Sequence, residues 1–411
     1  MRRTISLRAA AAATLAAALA AGLAACGGAQ VVTRQQSPDP IHIGAIYNLT
    51  GSQAPLDGPS LDGARLAVDR INAAGGLLGR RVELLERDGQ TNTALVRYDA
   101  QNLAALKVAA IVGLSDTDQV MAAAPVAARA GIPFVTSGAT SPLLPSQVPD
   151  WLFLACFGDN VQAAAGAEYA ADWLGARTVA ILFDKDMDYT RLLQRYFAQS
   201  FAAQGGRVVL RVAFHTGEHD IAGLLPSPGD HGGDEGDGES ASPVKAQLLF
   251  VAADPADAGP LVRKLRAAGY RQPIMGGDSY DNLKLIQAAR KTGGGVYFTT
   301  HAAFGLPHSS TQMRRFTTWY RSAYGRPPEN AFAGLGFDAV NLIAKAILRA
   351  KSADPEKVRD ALLETRGFNG VSGGLSYAGG SLVPRKAVTV IEVDRRAEVA
   401  AEITPAFVPA P

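Results

Sequence analysis

The sequence has few cysteines and little net charge. Only two cysteines, Cys26 and Cys156, occur among the 411 residues, so a structural disulfide is not expected. Cys156 lies in the apolar run Trp151–Phe157, where a small buried thiol is the ordinary interpretation. The formal net charge is +2 at pH 7 and charged residues make up 19% of the chain. Such a balance excludes the basic field that typically binds nucleic acid.

Motifs for catalysis and for cofactor binding are also lacking. No Gly-x-Gly-x-x-Gly follows the first strand-like segment, and no serine has the nucleophile-elbow pattern. His215 and His219 have a possible metal spacing, but no third ligand follows them. The acidic segment 229–243 lacks the ordered ligand pattern of a calcium loop. We therefore predict that the protein is not an enzyme and that it binds no cofactor and no metal. We predict that residues 229–243 form a mobile surface insertion.

The N-terminus has the three parts of a secretory signal. Arg2 and Arg3 precede an apolar run that ends at Ala25, and this run is too short and alanine-rich to predict a transmembrane helix. Leu23–Ala25 followed by Cys26 resembles the bacterial lipobox, which implies cleavage after residue 25 and lipid attachment at Cys26. Loss of three signal arginines changes the formal charge from +2 to −1. Residues 26–40 then form a flexible tether.

The mature chain alternates strand-like apolar runs with helix-period segments. The first series begins at Ile41 and runs to Ser137, and a second series begins at Thr178 and runs to Gly276. The helix after Ser60 carries apolar residues at Ala64, Val68 and neighbouring positions of one face. This alternation predicts an α/β fold with parallel strands and helices on both faces. Two series in a chain of this length predict two doubly wound domains.

Short motifs along most of the mature chain occur in a fixed order. They are Ile43–Gly51, Ala73–Gly79, Ala123–Ala128, Ser137–Pro142, Phe337–Asn341 and Asn369–Gly373. In order and spacing they resemble the periplasmic binding proteins of the branched-chain amino acid transport family. The resemblance implies a type I fold of two α/β lobes joined by three chain crossings. On that template the first lobe comprises 41–157 with 302–368, and the second comprises 158–301 with 369–411.

The resemblance also implies a ligand site at the strand ends of the first lobe. In the family, the serine that corresponds to Ser115 binds the ligand carboxylate, and the start of the following helix offers backbone donors for an anion. The family pattern gives Gly138 a backbone carbonyl for the ligand ammonium and Thr140 a hydroxyl and an amide for the carboxylate, with Ala139 between them in the expected site. The alternatives are helix capping by Ser115 or Asp116 and an ordinary turn at Thr140.

Three residues of the second lobe complete the expected site. Tyr189 corresponds to an aromatic residue of the family's cleft, and Asp278 to the acid that meets the ligand ammonium. Asp278 could instead cap a helix that begins near Asn282. Asp254 stands where amino-acid-binding relatives carry aromatic residues. Asp254 weakens a prediction of leucine, isoleucine or valine as the ligand. Asp116 weakens it further, because facing the ligand it would repel an acid and suit an amide or a cation.

These expectations combine into one function. We expect a monomeric lipoprotein on the periplasmic side of the envelope that captures an amino acid, amide or small organic acid and delivers it to an ABC permease. The alternative is a ligand sensor that presents the same closed form to a signalling receptor. Inner and outer membrane both remain open as the site of the anchor at Cys26.

Overall fold

The computed structural model describes residues 39–225, 246–304, 309–377 and 380–411. The predicted signal peptide, Cys26, residues 26–38 of the tether and the insertion 229–243 lie outside these described residues. The described chain contains two large sheets with helices packed on them. The predicted α/β class is therefore confirmed.

The first sheet has five parallel strands in the order β2-β1-β3-β4-β5. The strands are β1 Ile41–Tyr47, β2 Val82–Asp88, β3 Ile111–Gly113, β4 Phe134–Thr136 and β5 Leu152–Leu154. The helices between them are α1 Ala54–Ala73, α2 Thr93–Ala105, α3 Thr117–Arg129 and α4 Leu144–Gln147. Every residue of β3, β4 and β5 is buried, as expected for parallel strands covered on both faces.

The second sheet has seven strands in the order β14-β13-β10-β9-β8-β6-β7. They are β6 Thr178–Asp184, β7 Arg207–Phe214, β8 Leu248–Ala252, β9 Ile274–Gly276, β10 Val296–Thr300, β13 Val388–Val393 and β14 Ala397–Ile403. Helices α5 Asp159–Asp172, α6 Asp188–Ala203, α7 Ala258–Ala267 and α8 Leu283–Lys291 accompany it. Strands β6 to β10 are parallel, and β13 and β14 add an antiparallel edge.

The chain returns to the first sheet after β10. Helices α9 Thr311–Tyr324, α10 Ala331–Ala350 and α11 Pro355–Leu363 contribute to the same core as β1, and so does the hairpin of β11 Phe368–Gly370 and β12 Gly373–Leu375. We call the elements around the first sheet the first lobe and those around the second sheet the second lobe. Helix α10 is long and apolar enough to cross a membrane, but most of it is buried in this core.

Helices α1 and α10 pack at very short range. A Cβ added to Gly63 would lie 1.8 Å from the carbonyl oxygen of Ala333, and one added to Gly336 would lie 1.8 Å from that of Ser60. Glycine at both positions lets the two backbones approach this closely. Gln53, just before α1, and Leu56 within it line a cavity together with residues of the second lobe, so this packing positions one wall of that cavity.

Helix α1 begins six residues earlier than the sequence pattern indicated. The expected start was Ser60, whereas the helix begins at Ala54 and includes Pro59. Proline has no N–H, so the carbonyl of Pro55 loses its helical partner. The Nδ2 of Asn330 donates to that carbonyl at 3.0 Å, and this contact from the start of α10 makes an internal proline tolerable.

Candidate functional site

Residues that follow strands of both sheets meet around one small cavity. The lining residues are Gln53, Leu56, Ser115, Asp116, Met187, Tyr189, Pro255, Asp278 and Ser279. They follow β1, β3, β6, β8 and β9, which all run parallel within their sheets, so they lie at the edge where ligands usually bind in α/β folds. The cavity volume is about 10 Å³, close to the space of a single water molecule.

Asp116 lies on the first-lobe side of the cavity and is 5% exposed. It is the N-cap of α3, where its Oδ1 accepts a hydrogen bond of 3.0 Å from the N–H of Gln119. Its Oδ2 is buried and has no hydrogen-bond partner among the described residues. Burial first, and repulsion by Asp118 second, raise the pKa of Asp116 to about 7. Capping therefore explains one carboxylate oxygen of Asp116 and leaves the other facing no protein donor.

Gly138 and Ala139 do not line the cavity in this structure. A Cβ added to Gly138 would lie 2.7 Å from the Oγ of Ser115, so Gly138 packs directly against the serine that does line it. The N–H of Ala139 donates to the Oγ1 of Thr136 at 3.0 Å, and its carbonyl accepts from the Sγ of Cys156 at 3.2 Å. Both backbone polar groups of Ala139 are thus engaged within the first lobe.

Thr140 contacts the second lobe rather than the cavity. Its Oγ1 donates to the Oδ1 of Asp159 at 2.7 Å, and the N–H of Asp159 donates back to the carbonyl of Thr140 at 2.6 Å. The Nε2 of Gln162 also donates to Asp159 Oδ1, at 2.9 Å. Burial, followed by repulsion from Asp278, raises the pKa of Asp159 to about 8. The fully buried Asp159 is therefore protonated over most of the neutral range.

Asp278 accepts three hydrogen bonds from side chains of its own lobe. The hydroxyl of Tyr189 donates to Oδ1 at 2.9 Å, and Nε2 of Gln162 donates to the same oxygen at 3.0 Å. The Nε2 of His301 lies 3.0 Å from Oδ2. Asn282, not Asp278, caps α8. Asp278 is thus held at the cavity by a polar network, and the capping alternative does not apply to it.

His301 is a fully buried member of this network. Its side chain is fully buried and stacks on Phe157 with ring centroids 3.8 Å apart. Burial lowers the pKa of His301 below its usual value, more strongly than Asp278 raises it, so the ring is neutral when it donates to the carboxylate. Tyr189, Gln162 and His301 all contact Asp278 without supplying a positive charge.

Several residues at the site were not predicted from the sequence. They are Gln53, Leu56, Met187, Pro255 and Ser279, which line the cavity. Met187, Pro255 and Ser279 lie within three positions of a strand end, and this position is a signal that the sequence offers. Gln53 and Leu56 lie six and nine positions after β1, where no such signal applies. His301 had no signal, because an isolated histidine after a strand has no motif and its partners come from distant segments.

Asp254 links the two lobes at the rim of the cavity. Its Oδ2 accepts hydrogen bonds from the Oγ of Ser52 at 2.8 Å and from the Nε2 of Gln53 at 3.0 Å. Its Oδ1 accepts from the N–H of Ala256, within its own loop, at 2.8 Å. Asp254 is 2% exposed, and burial raises its pKa. We refer to the Ser52, Gln53 and Asp254 hydrogen bonds as the interlobe contact.

Asp254→Ala should shift the ligand-free protein toward a more open arrangement of the lobes. The substitution removes both hydrogen bonds of the interlobe contact, and bonds to a charged group contribute roughly 1.5–3 kcal/mol each. Small-angle X-ray scattering should report a larger radius of gyration. Asp257→Ala is the control, because Asp257 bonds Gly217 and His219 within the second lobe. Equal radii for the Asp254 variant and the unmodified protein would contradict the role assigned to this contact.

The two histidines with a metal-like spacing pair with separate carboxylates. His215 contacts Asp186, and His219 contacts Asp257 at 2.7 Å. Within the part of the chain that the structure describes, no group of three or more His, Cys, Asp or Glu side chains is arranged to hold a metal ion. Each histidine thus has its own carboxylate partner.

A family model described as "Periplasmic binding protein" matches residues 40–398. Among curated proteins, the chain is similar to the leucine-, isoleucine-, valine-, threonine-, and alanine-binding protein of Pseudomonas aeruginosa. The two are 24% identical over 325 residues, which cover 79% of this chain and 82% of that protein. The match therefore extends over most of both chains.

Two solved structures have a similar fold. The branched-chain amino acid transporter substrate binding protein LivJ from Streptococcus pneumoniae, solved in complex with isoleucine, superposes with a TM-score of 0.78 at 28% identity, covering 90% of this chain and 100% of that chain. A solute binding protein of an ABC transporter from R. palustris, solved with benzoate, gives a TM-score of 0.74 at 19% identity, covering 90% and 98%. Folds of this kind therefore hold ligands of different chemistry.

Proposed function

Since this chain belongs to the periplasmic binding protein family, as its motifs predicted, we propose that it is the solute-binding lipoprotein of an ABC importer. It captures an amino acid or a related small polar molecule between its lobes and delivers it to the permease. The ligand is bound and released unchanged, so no catalytic residue is needed.

The observation that carries this proposal is the convergence of strand ends on one cavity. Both lobes contribute polar side chains to it, Ser115 and Asp116 from the first and Tyr189 and Asp278 from the second. A ligand held there contacts both lobes at once and stabilises the closed form relative to the open one. A cavity of about 10 Å³ admits little more than one small group, so entry requires the lobes to separate.

A different stage of ligand binding involves Asp254, Gly138, Ala139 and Thr140. We propose that Asp254 exchanges its hydrogen bonds with Ser52 and Gln53 for contacts with the ligand when the lobes separate. Gly138, Ala139 and Thr140 reach the ligand only after the contact between Thr140 and Asp159 opens. The ligand thus replaces contacts that the two lobes otherwise make with each other.

We propose lobe bounds close to those of the family template, with one adjustment. The first lobe comprises 41–157 with 302–382, and the second comprises 158–301 with 383–411. The extension to 382 is supported by Val371, Leu375, Tyr377 and Leu382, which pack in the core of the first sheet. The three crossings between the lobes are then near residues 157, 301 and 383. The stacked rings of Phe157 and His301 lie at two of them.

The N-terminal segment determines where in the cell the protein works. We propose that residues 1–25 are removed, that Cys26 carries the lipid, and that the monomer works on the periplasmic side of the membrane through the tether at 26–40. A binding protein for a membrane permease gains from this anchor, because tethering raises its effective concentration beside its partner.

A thermal-shift screen of the mature protein tests the proposal. The panel contains amino acids, amides and small organic acids at millimolar concentration. A ligand present at 100 times its dissociation constant adds about 2.7 kcal/mol to the free energy of unfolding, so we expect a clear rise in melting temperature with at least one class. Bovine serum albumin in the same panel controls for general effects of the solutes. If no compound raises the melting temperature and native mass spectrometry detects no copurified small molecule, solute capture is wrong.

A further inference from the structure

One carboxylate oxygen at the cavity has no counterpart in the protein. Asp116 is 5% exposed, and its Oδ2 has no hydrogen-bond partner among the described residues. The helix cap uses only Oδ1. A buried carboxylate oxygen without a donor is costly. Oδ1 of Asp57 and Oδ2 of Asp159 also have no partner among the described residues, but only Asp116 of the three lines the cavity, where a ligand can supply the donor.

The charged groups that act on Asp116 are all acidic. Asp57, Asp118 and Asp254 each act on Asp116 by electrostatic repulsion. Tyr189, Gln162 and His301, the described side chains that contact Asp278, are neutral. None of the nine residues that line the cavity is Arg, Lys or His. Arg191, the cation that acts on Asp118, pairs with Asp188. A negatively charged ligand group would therefore be repelled here, while a cation would be attracted from both lobes.

We propose that Asp116 is the binding site for a cationic group of the ligand, and that the solute class is an organic cation with an ammonium or guanidinium group in addition to any α-ammonium. The inference rests on the proposed function and narrows its ligand class. In the closed form the cation donates to Asp116 Oδ2 from the first lobe while Asp278 faces it across the cavity. The available space suits one ammonium-sized group, and the rest of the ligand occupies the cleft as the lobes adjust.

Matched ligand pairs provide the probes. Isothermal titration of the mature protein compares L-lysine with L-norleucine and L-arginine with L-citrulline, which differ chiefly in the charge of one end group. We expect the cationic member of at least one pair to bind about 10- to 100-fold more tightly than its neutral partner, as for a charge-assisted hydrogen bond in a closed cavity.

Asp116→Asn isolates the charge of the carboxylate. Asparagine is an equally good N-cap and keeps an oxygen for the N–H of Gln119, so the fold should be retained, which circular dichroism verifies. We expect the preference for the cationic ligand to disappear. Asp354→Asn is the matched control, because Asp354 caps α11 and does not line the cavity, and it should preserve the preference.

The outcomes separate this inference from the proposed function. Unchanged affinity of Asp116→Asn for a cationic ligand, or equal binding of neutral and cationic partners, overturns the assignment of a cation to Asp116 while solute capture stands. Binding of amides or organic acids alone likewise overturns that assignment and leaves solute capture in place. Absence of binding by every compound, including the acids and amides, counts against both.

Discussion

Replacing Gly63 with alanine should destabilise the folded protein by about 3 kcal/mol, the upper end for an overpacked core position. The new Cβ would lie 1.8 Å from the carbonyl oxygen of Ala333 and 3.0 Å from the backbone nitrogen of Phe337. Backbone atoms cannot rotate away as a side chain can, so α1 and α10 must move apart and their shared core must loosen. The measurement is the free energy of unfolding in urea, followed by circular dichroism.

Gly58→Ala is the matched control in the same helix. A Cβ at Gly58 meets no atom within 4 Å, so alanine there gains helix propensity, about 0.5–1 kcal/mol, without a clash. The two variants add the same methyl group to α1, and only their surroundings differ. If Gly63→Ala is as stable as Gly58→Ala, the close approach of the two helices is not as the structure describes.

The fold could be predicted from the sequence because its signals are local. Alternation of apolar runs with helix-period segments marks β1 to β4 of the first sheet, whereas β5 lies beyond the predicted series. The apolar face of α1 at Ala64 and Val68 is buried as predicted. The start of α1 could not be predicted, because glycine and proline, here Gly58 and Pro59, usually interrupt a helix. The contact that compensates Pro59 comes from Asn330, which lies far along the chain.

The site was predictable to the extent that strand ends define it. Ser115, Asp116, Tyr189 and Asp278 each follow a strand and meet at one cavity. The expected positions of Gly138, Ala139 and Thr140 at the ligand do not appear in this structure, since Thr140 is engaged by Asp159. That pairing depends on how the lobes close, whereas His301 meets Asp278 within the second lobe through segments that are distant in the sequence. No local pattern encodes either of them.

Asp159→Asn should remove a large part of the pH dependence of stability. The pKa of Asp159 is about 8 in the folded protein against 3.8 for an ordinary aspartate carboxyl, so between these values the folded state binds a proton that the unfolded state lacks. The stabilisation from Asp159 is complete below about pH 4 and is lost as the pH rises to about 8. Its slope is about 1.4 kcal/mol per pH unit.

Asparagine keeps an oxygen for Thr140 and Gln162 but cannot ionise. The free energy of unfolding of Asp159→Asn minus that of the unmodified protein should therefore rise by about 3 kcal/mol between pH 5 and pH 7. Urea titrations at both pH values measure it. The other buried groups, including Asp57, Asp281 and His301 with its opposite direction, titrate in both proteins, so their contributions cancel in the difference.

Asp172→Asn provides the comparison, since Asp172 is the exposed last residue of the same helix, α5. It shows whether replacing an aspartate of α5 by asparagine has an effect on stability that is unrelated to Asp159. A difference for Asp159→Asn that stays constant between pH 5 and pH 7 would mean that Asp159 is ionised in the folded state. The proton on Asp159 would then be absent, although Gln162 donates to both Asp159 and Asp278. A rising difference instead shows that Asp159 is protonated in the folded protein at neutral pH, so Asp159 adds no negative charge to the polar network around Asp278.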